Sequence, residues 1–440
     1  MSVVAREDRL RALDRLSVAR ARSAHRPFWL LFLLAGPGIL VMLGENDGPS
    51  MLSYATTGAS YGIGFFVPFI VVTFAMAFVV QEMTARLGIA THRGHADLIH
   101  DRFGPFWGSF ALADLAFGNV LTLITEFIAI RAGFAYFGVA APLAVAFGFV
   151  AALATLLGQR YFTWERMLLA LAAGNLLFVP AALFAHPDAG ALARALGTFG
   201  PLPGGVNATF LTLVLANVGA TVTPWMLFFQ QSAVADKGLT RRDLVQARLD
   251  TALGAGLAAL AAVATLVAAA PLFAHHVDLR ALANPADFAT ALRPYIGHTG
   301  ATLFALGMIE AGLVAAITIS SSSSYAFGEI LRTHSSFNAG FREGRLFYAS
   351  GILSLLVAAA IVLIPNAPLL AMTIAVNVIA TLLMAPAIVL LLLLANDREV
   401  VGSLANGPLG NLAGGIVVAG IAVLGATYGL VTALPELLPK

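Results

Sequence analysis

The chain has 440 residues, of which 59% are hydrophobic and 11% charged, with a formal net charge of +2 and a mean hydropathy of +0.87. Soluble globular proteins carry about 25% charged residues, so this composition excludes a water-soluble domain; it describes an integral helical membrane protein whose immediate partner is the lipid bilayer, with no nucleic-acid partner expected. Zero cysteines exclude disulfides, thiolate metal sites and iron–sulfur clusters.

Residues 1–28 form a basic tail without an apolar h-region or small-residue cleavage site, so they do not read as a signal peptide. Leu10, Leu13, Leu16 and Val18, set between Arg9, Arg11, Arg15 and Arg20, are spaced either for a short interfacial helix or for a solvated tail. Next come about eleven apolar spans, near 29–57, 62–86, 106–137, 139–158, 164–186, 206–234, 250–275, 298–325, 345–365, 368–395 and 410–433. Span 1 is interrupted by Gly44-Glu45-Asn46-Asp47-Gly48-Pro49-Ser50, and span 6 by Gly219-Ala220-Thr221-Val222-Thr223-Pro224-Trp225. Proline removes a backbone donor and glycine loosens the helix. Backbone freed in this way is tolerated at membrane depth only where it faces protein or a wet cavity.

Arginine and lysine then set the orientation. The tail and alternate loops hold Arg86, Arg93 and Arg102; Arg160 and Arg166; Lys237, Arg241, Arg242 and Arg248; Arg332, Arg342 and Arg345; and Arg398. The opposite loops hold Arg194, Arg280, Arg293 and Lys440. The N-terminus is therefore expected in the cytoplasm. The two breaks lie roughly 175 residues apart, five spans separated, in helices of opposite direction. That is the pattern of a five-plus-five inverted repeat, 29–186 and 206–395, followed by one extra helix at 410–433. Paired broken helices, one carrying an intramembrane carboxylate, point to a cation site near the bilayer midplane, with Asp47 as its charged ligand. No nucleophile–base constellation or cofactor motif suggests an enzyme.

With Asp47-Gly48-Pro49-Ser50 in span 1, Gly219-Ala220-Thr221-Val222 before Thr223-Pro224-Trp225 in span 6, Leu303-Phe304-Ala305-Leu306-Gly307 in span 8 and Asn396-Asp397-Arg398 after span 10, the chain resembles the Nramp family of divalent-metal transporters. The resemblance implies an all-α, LeuT-like fold and a multi-pass protein of the bacterial inner membrane. It also implies that a divalent metal is the transported substrate and that no cofactor is needed. Its departures from the family pattern are chemical. Thr223 stands where the family has a soft methionine, Ser50 where it has asparagine, Trp225 where it has histidine, and Asn377 where it has glutamine. Thioethers favour transition ions, and Mg²⁺ keeps several waters, so the resemblance is to the magnesium-transporting branch.

The metal ligands so implied are Asp47, Ser50, Thr223, Asn377 and the Ala220 carbonyl, with Glu45, Asn46 and Trp225 around them; for Glu45 a solvated mouth is the equal alternative. Glu126 and Arg345 are what remains of the family's proton path, since Leu123 occupies its aspartate position and Gly344-Arg345 stands where two arginines are usual. Uptake of Mg²⁺, with Mn²⁺ as a second substrate, is therefore expected to run without protons. The alternatives are a proton-coupled Mn²⁺/Fe²⁺ importer and an organic-solute transporter of the same fold. Glu126 reads equally as a partner of Arg131, and Glu310 has no assigned role. His92, His95 and His100 read as a solvated loop.

Overall fold

The computed structural model describes residues 33–433 apart from 159, 279–281, 283, 334 and 366, together with Leu16, Arg20, Ser23 and Ala24. The helix expected around Leu10, Leu13 and Val18 lies outside the described residues. In chain order the helices are α1 Pro37–Glu45, α2 Gly48–Tyr61, α3 Phe66–Thr91, α4 His95–Phe103, α5 Pro105–Tyr136, α6 Ala141–Leu156 and α7 Tyr161–Ala172. A 3-10 turn, Ala173–Leu177, leads into α8 Phe178–Leu183 and α9 Ala189–Thr198. Then follow α10 Ala208–Gly219, α11 Pro224–Lys237, α12 Leu244–Ala274, α13 Ala286–Ile330, α14 Arg345–Val362, α15 Leu369–Asn396, α16 Arg398–Val401 and α17 Pro408–Ala433.

Nine helical stretches among the described residues are long and apolar enough to cross a bilayer. The broken pair α1–α2 and the shorter α6 occupy the other two expected places. Both breaks appear where proline and glycine put them. Asn46 (φ −72°, ψ 52°) leaves the helix and Asp47 (φ −79°, ψ 176°) is extended before α2 starts, with Pro49 in its first turn. Span 6 ends at Gly219 and restarts at Pro224 behind an extended Thr223. Gly297 (φ 70°), after Pro294, divides α13 into a short outer piece and the long span that the sequence places at 298–325.

Two helices surround the breaks. α12 lies along α1 and α2, and α13 lies along α5. The latter pair approach closely because Gly133 meets the Ala305 carbonyl and Gly312 the Glu126 carbonyl, where a Cβ would not fit. The loops rich in arginine and lysine meet each other on one face, as the charge pattern requires. Arg102 pairs with Asp397 (2.5 Å), Arg332 with Asp101 (3.0 Å) and Arg248 with Glu82 (2.8 Å). On the opposite face Phe65 N–H donates to the Pro201 carbonyl and His275 stacks on Tyr295.

One expectation is corrected on the basic face. Residues 95–103 form helix α4 rather than a solvated loop, and His95 is fully buried: Nδ1 lies 2.8 Å from Gln231 Oε1 and the ring packs edge-on against Phe228. Apolar Ala96, Leu98 and Ile99 carry that face of α4 inward.

Candidate functional site

Where α1 stops and α2 begins, backbone groups lack helical partners, and the chain supplies side chains to meet them. Asp47 caps α2, its Oδ1 accepting from Ser50 N–H at 2.9 Å. Glu126, from the middle of α5, reaches the same helix end, its Oε2 accepting from Gly48 N–H at 2.9 Å, and its carboxyl group neighbours that of Asp47. The N-terminus of α2 carries two carboxyl groups, which divide the free backbone donors of Ser50 and Gly48 between them. Glu126 is therefore not the partner of Arg131, whose Nη1 donates instead to the Val362 carbonyl.

Glu45, at the last turn of α1, is fully buried rather than at a solvated mouth. Its Oε2 accepts from Thr223 Oγ1 at 2.7 Å, so one hydrogen bond joins the two broken helices. Its Oε1 has no hydrogen-bond partner, nor do Ser50 Oγ, Asn46 Oδ1 and Glu126 Oε1. Asn46 Nδ2 donates to the Ala258 carbonyl (2.8 Å), which turns its orphan oxygen away from α12. Buried polar atoms ordinarily find partners. Four orphan oxygens around one break therefore form a locus with unused acceptor capacity, and none of the ion pairs among the described residues involves Glu45, Asp47 or Glu126.

The remaining expected ligands lie around this locus and make bonds of their own. The Ala220 carbonyl accepts from Tyr54 OH at 2.7 Å, and Asn377 Nδ2 donates to Ser53 Oγ at 2.9 Å. Trp225 is buried with its ring beside Gly44, and its carbonyl accepts from Ser322 Oγ. Arg345 is exposed in the first turn of α14, whereas Glu126 is buried in mid-span. Among the described residues no group of three or more His, Cys, Asp or Glu side chains converges as a metal cage. Neutral oxygens must supply much of any coordination here.

Tyr54 and Met226 reach the site from outside the set of expected ligands, and Thr221 of the span 6 break anchors it. Tyr54 OH lies 3.2 Å from Thr221 Oγ1, which in turn lies 3.0 Å from Thr73 Oγ1, so the span 6 break is held from α2 and α3. Tyr54 is seven residues after Asp47, two turns along the same face, and that spacing could have identified it. Met226 brings a thioether to the break: Thr223 N–H donates to its Sδ at 3.5 Å. Three residues past Thr223, it turns back by one helical turn, a fold-back that side-chain direction in helices permits.

The family model described as Natural resistance-associated macrophage protein-like (Nramp) matches residues 38–431. A divalent metal cation transporter MntH of Yersinia pestis (strain Pestoides F) is 30% identical over 294 residues, 64% of this chain and 68% of the relative. That of Pectobacterium carotovorum subsp. carotovorum (strain PC1) is 28% identical over 293 residues, with the same shares covered. A crystal structure of the Eremococcus coleocola manganese transporter superposes with a TM-score of 0.75 at 20% identity, covering 91% of this chain and 87% of that one. The amino-acid-bound MhsT superposes at 0.57 and 13% identity, covering 90% and 97%. With two broken helices facing each other inside an all-helical, LeuT-like bundle, and the family match running from α1 to α17, the chain belongs to the Nramp family, whose members are multi-pass membrane transporters and not enzymes.

Proposed function

We propose that this chain imports divalent cations, Mg²⁺ first and Mn²⁺ as a second substrate, binding the ion partly hydrated between the broken helices and passing it inward by alternating access. The carrying observation is the set of buried acceptors at the α1–α2 break, where Asp47 and Glu45 supply two negative charges and Ser50 and Asn46 supply orphan oxygens. Two carboxylates balance one divalent ion, whereas an amino-acid carboxylate would be repelled. Hard oxygens with room for retained water suit Mg²⁺. In this reading Thr223 turns its hydroxyl lone pairs toward the ion, Tyr54 releases the Ala220 carbonyl and Asn377 closes the site from α15. The names of the MntH relatives and of the Eremococcus coleocola transporter support a divalent substrate.

Transport in this reading is driven by the membrane potential, worth about 2.3 kcal/mol per charge per 100 mV and doubled for a divalent ion. Leu123 offers no carboxylate beside Glu126, and Glu126 acts by holding Gly48 N–H. A second reading, a proton-coupled Mn²⁺/Fe²⁺ importer, is favoured by the proximity of Glu126 to Asp47 and by the Met226 thioether at the break. Proteoliposome uptake with Mg²⁺-sensitive and pH-sensitive dyes separates the two. Potential-driven Mg²⁺ entry without acidification, lost in Asp47→Ala and kept in Met226→Leu, supports the magnesium reading. Mn²⁺ entry with acidification, weakened in Met226→Leu, establishes the other.

A further inference from the structure

Glu310 is a buried carboxylate that the pathway above does not use, and its surroundings are those of a second ion site. Both of its oxygens meet one group, the side-chain nitrogen of Asn175, at 3.2 and 3.1 Å. The same nitrogen lies 3.4 Å from the Leu43 carbonyl. An amide NH₂ has two hydrogens, so here three oxygens from two chain segments, α13 and α1, converge on the nitrogen of a third segment and share two donors. Asn175 Oδ1, on the other arm of the amide, is buried without a partner. The oxygen and nitrogen of such an amide are nearly equivalent in shape. Turning it over presents the orphan oxygen to the same point and leaves an all-oxygen cluster that needs a cation at its centre.

The backbone was shaped to bring these oxygens together. Leu43 lies in the last turn of α1, whose carbonyls have no helical donors beyond the break and sit at the negative end of the helix dipole. Asn175 lies in the 3-10 turn Ala173–Leu177, which interrupts span 5 at this depth. Gly174 gives Glu310 room, since a Cβ there would meet the Glu310 side chain. No ion pair among the described residues involves Glu310, so an ionised Glu310 has no protein cation to balance it.

We propose that Glu310, Asn175 and the Leu43 carbonyl bind a monovalent cation, Na⁺, separately from the divalent ion at Asp47. One carboxylate with two neutral oxygens carries a single negative charge, which Na⁺ neutralises; a divalent ion would leave an uncompensated positive charge at membrane depth. Bound there, Na⁺ ties the end of α1, two residues from Glu45, to α13 and to span 5. It thereby acts on the half-helix that bears the divalent site. This assignment does not depend on which divalent ion Asp47 takes.

Thermal unfolding of the purified full-length protein in detergent tests it, with NaCl exchanged for choline chloride at constant ionic strength and pH. The expected result is a saturable Na⁺-specific rise in Tm that Glu310→Gln abolishes, while the rise produced by Mn²⁺ persists. Asn175→Ser, which removes the orphan oxygen without removing charge, should shift the Na⁺ midpoint by about ten-fold and decides the matter if Glu310→Gln does not fold. An absent Na⁺ effect, an equal effect of choline, or an unchanged midpoint in the variants overturns the proposal. The Mn²⁺ response, read in the same samples, reports on the Asp47 site independently.

Discussion

Asp47 has two roles that a single substitution separates. As the N-cap of α2 it accepts Ser50 N–H, and as a buried anion it supplies charge. Asparagine caps as well as aspartate, so Asp47→Asn should leave stability within about 1 kcal/mol while abolishing divalent uptake, read by unfolding and by transport in the same preparation. His95 makes a different prediction. Burial pushes its imidazole down from the ordinary 6.5 to about 4, against the smaller upward pull of Gln231. The unfolded chain thus binds more protons than the folded one between those values. Stability should fall as pH drops from about 6.5 toward 4, and His95→Gln should flatten that part of a Tm–pH curve. Sequence reading placed Asp47 at a break from its neighbours alone. It misjudged His95, because a histidine among loop charges looks solvated until the apolar face of α4 is seen to dock on α11.

At the scale of elements, the two broken helices owe their separate breaks to local chemistry and their mutual position to close contacts. Gly219, at the end of α10, sits directly on the Asn377 carbonyl of α15, where a Cβ would not fit. Thr381 Oγ1 adds a bond to the Leu215 carbonyl at 2.9 Å. Gly219→Ala should cost about 1–3 kcal/mol by overpacking and displace Asn377 from the site, lowering divalent affinity as well as Tm; an unchanged protein would show that this contact relaxes freely. The hydrophobic runs and the Gly-Pro pairs were legible because a span needs about 20 apolar residues and proline needs a helix start. The Thr223–Glu45 and Tyr54–Ala220 bonds were not legible, because they join helices more than 150 residues apart by a register that only packing sets.

Across the whole molecule, the basic face holds α1 in place from below. Asp250 of α12 accepts N–H bonds from Gly36 (3.0 Å), Gly38 (2.7 Å) and Ile39 (3.3 Å). Lys237, at the end of α11, pairs with the fully buried Glu165 of α7 at 2.8 Å and donates to the Ala35 carbonyl at 2.9 Å. These bonds tie the start of α1 to α12 and α11. Lys237→Met leaves Glu165 buried and unpaired and should destabilise by about 3–5 kcal/mol; replacing both with apolar residues should recover most of that loss. Asp250→Asn weakens the hold on α1 alone. Because the chain has no cysteine, a Ser50→Cys probe would be its single thiol, and its labelling from the basic face should rise in Asp250→Asn.

Membrane residence, the all-helical fold, the two breaks and the family were all determined by the sequence itself. Hydropathy, proline and glycine, and the placement of arginine act over one helix or one loop at a time, so they can be read in order along the chain. Tertiary structure alone decided which oxygens are free. The Ala220 carbonyl looks available until Tyr54 is seen to donate to it; Glu45 reads equally as a solvated mouth or a ligand until Thr223 is seen to bond it; and Glu310 has no context until Asn175 reaches it from span 5 and joins it to the Leu43 carbonyl. Coordination depends on where side chains from distant helices meet, and ångström-scale packing sets that meeting.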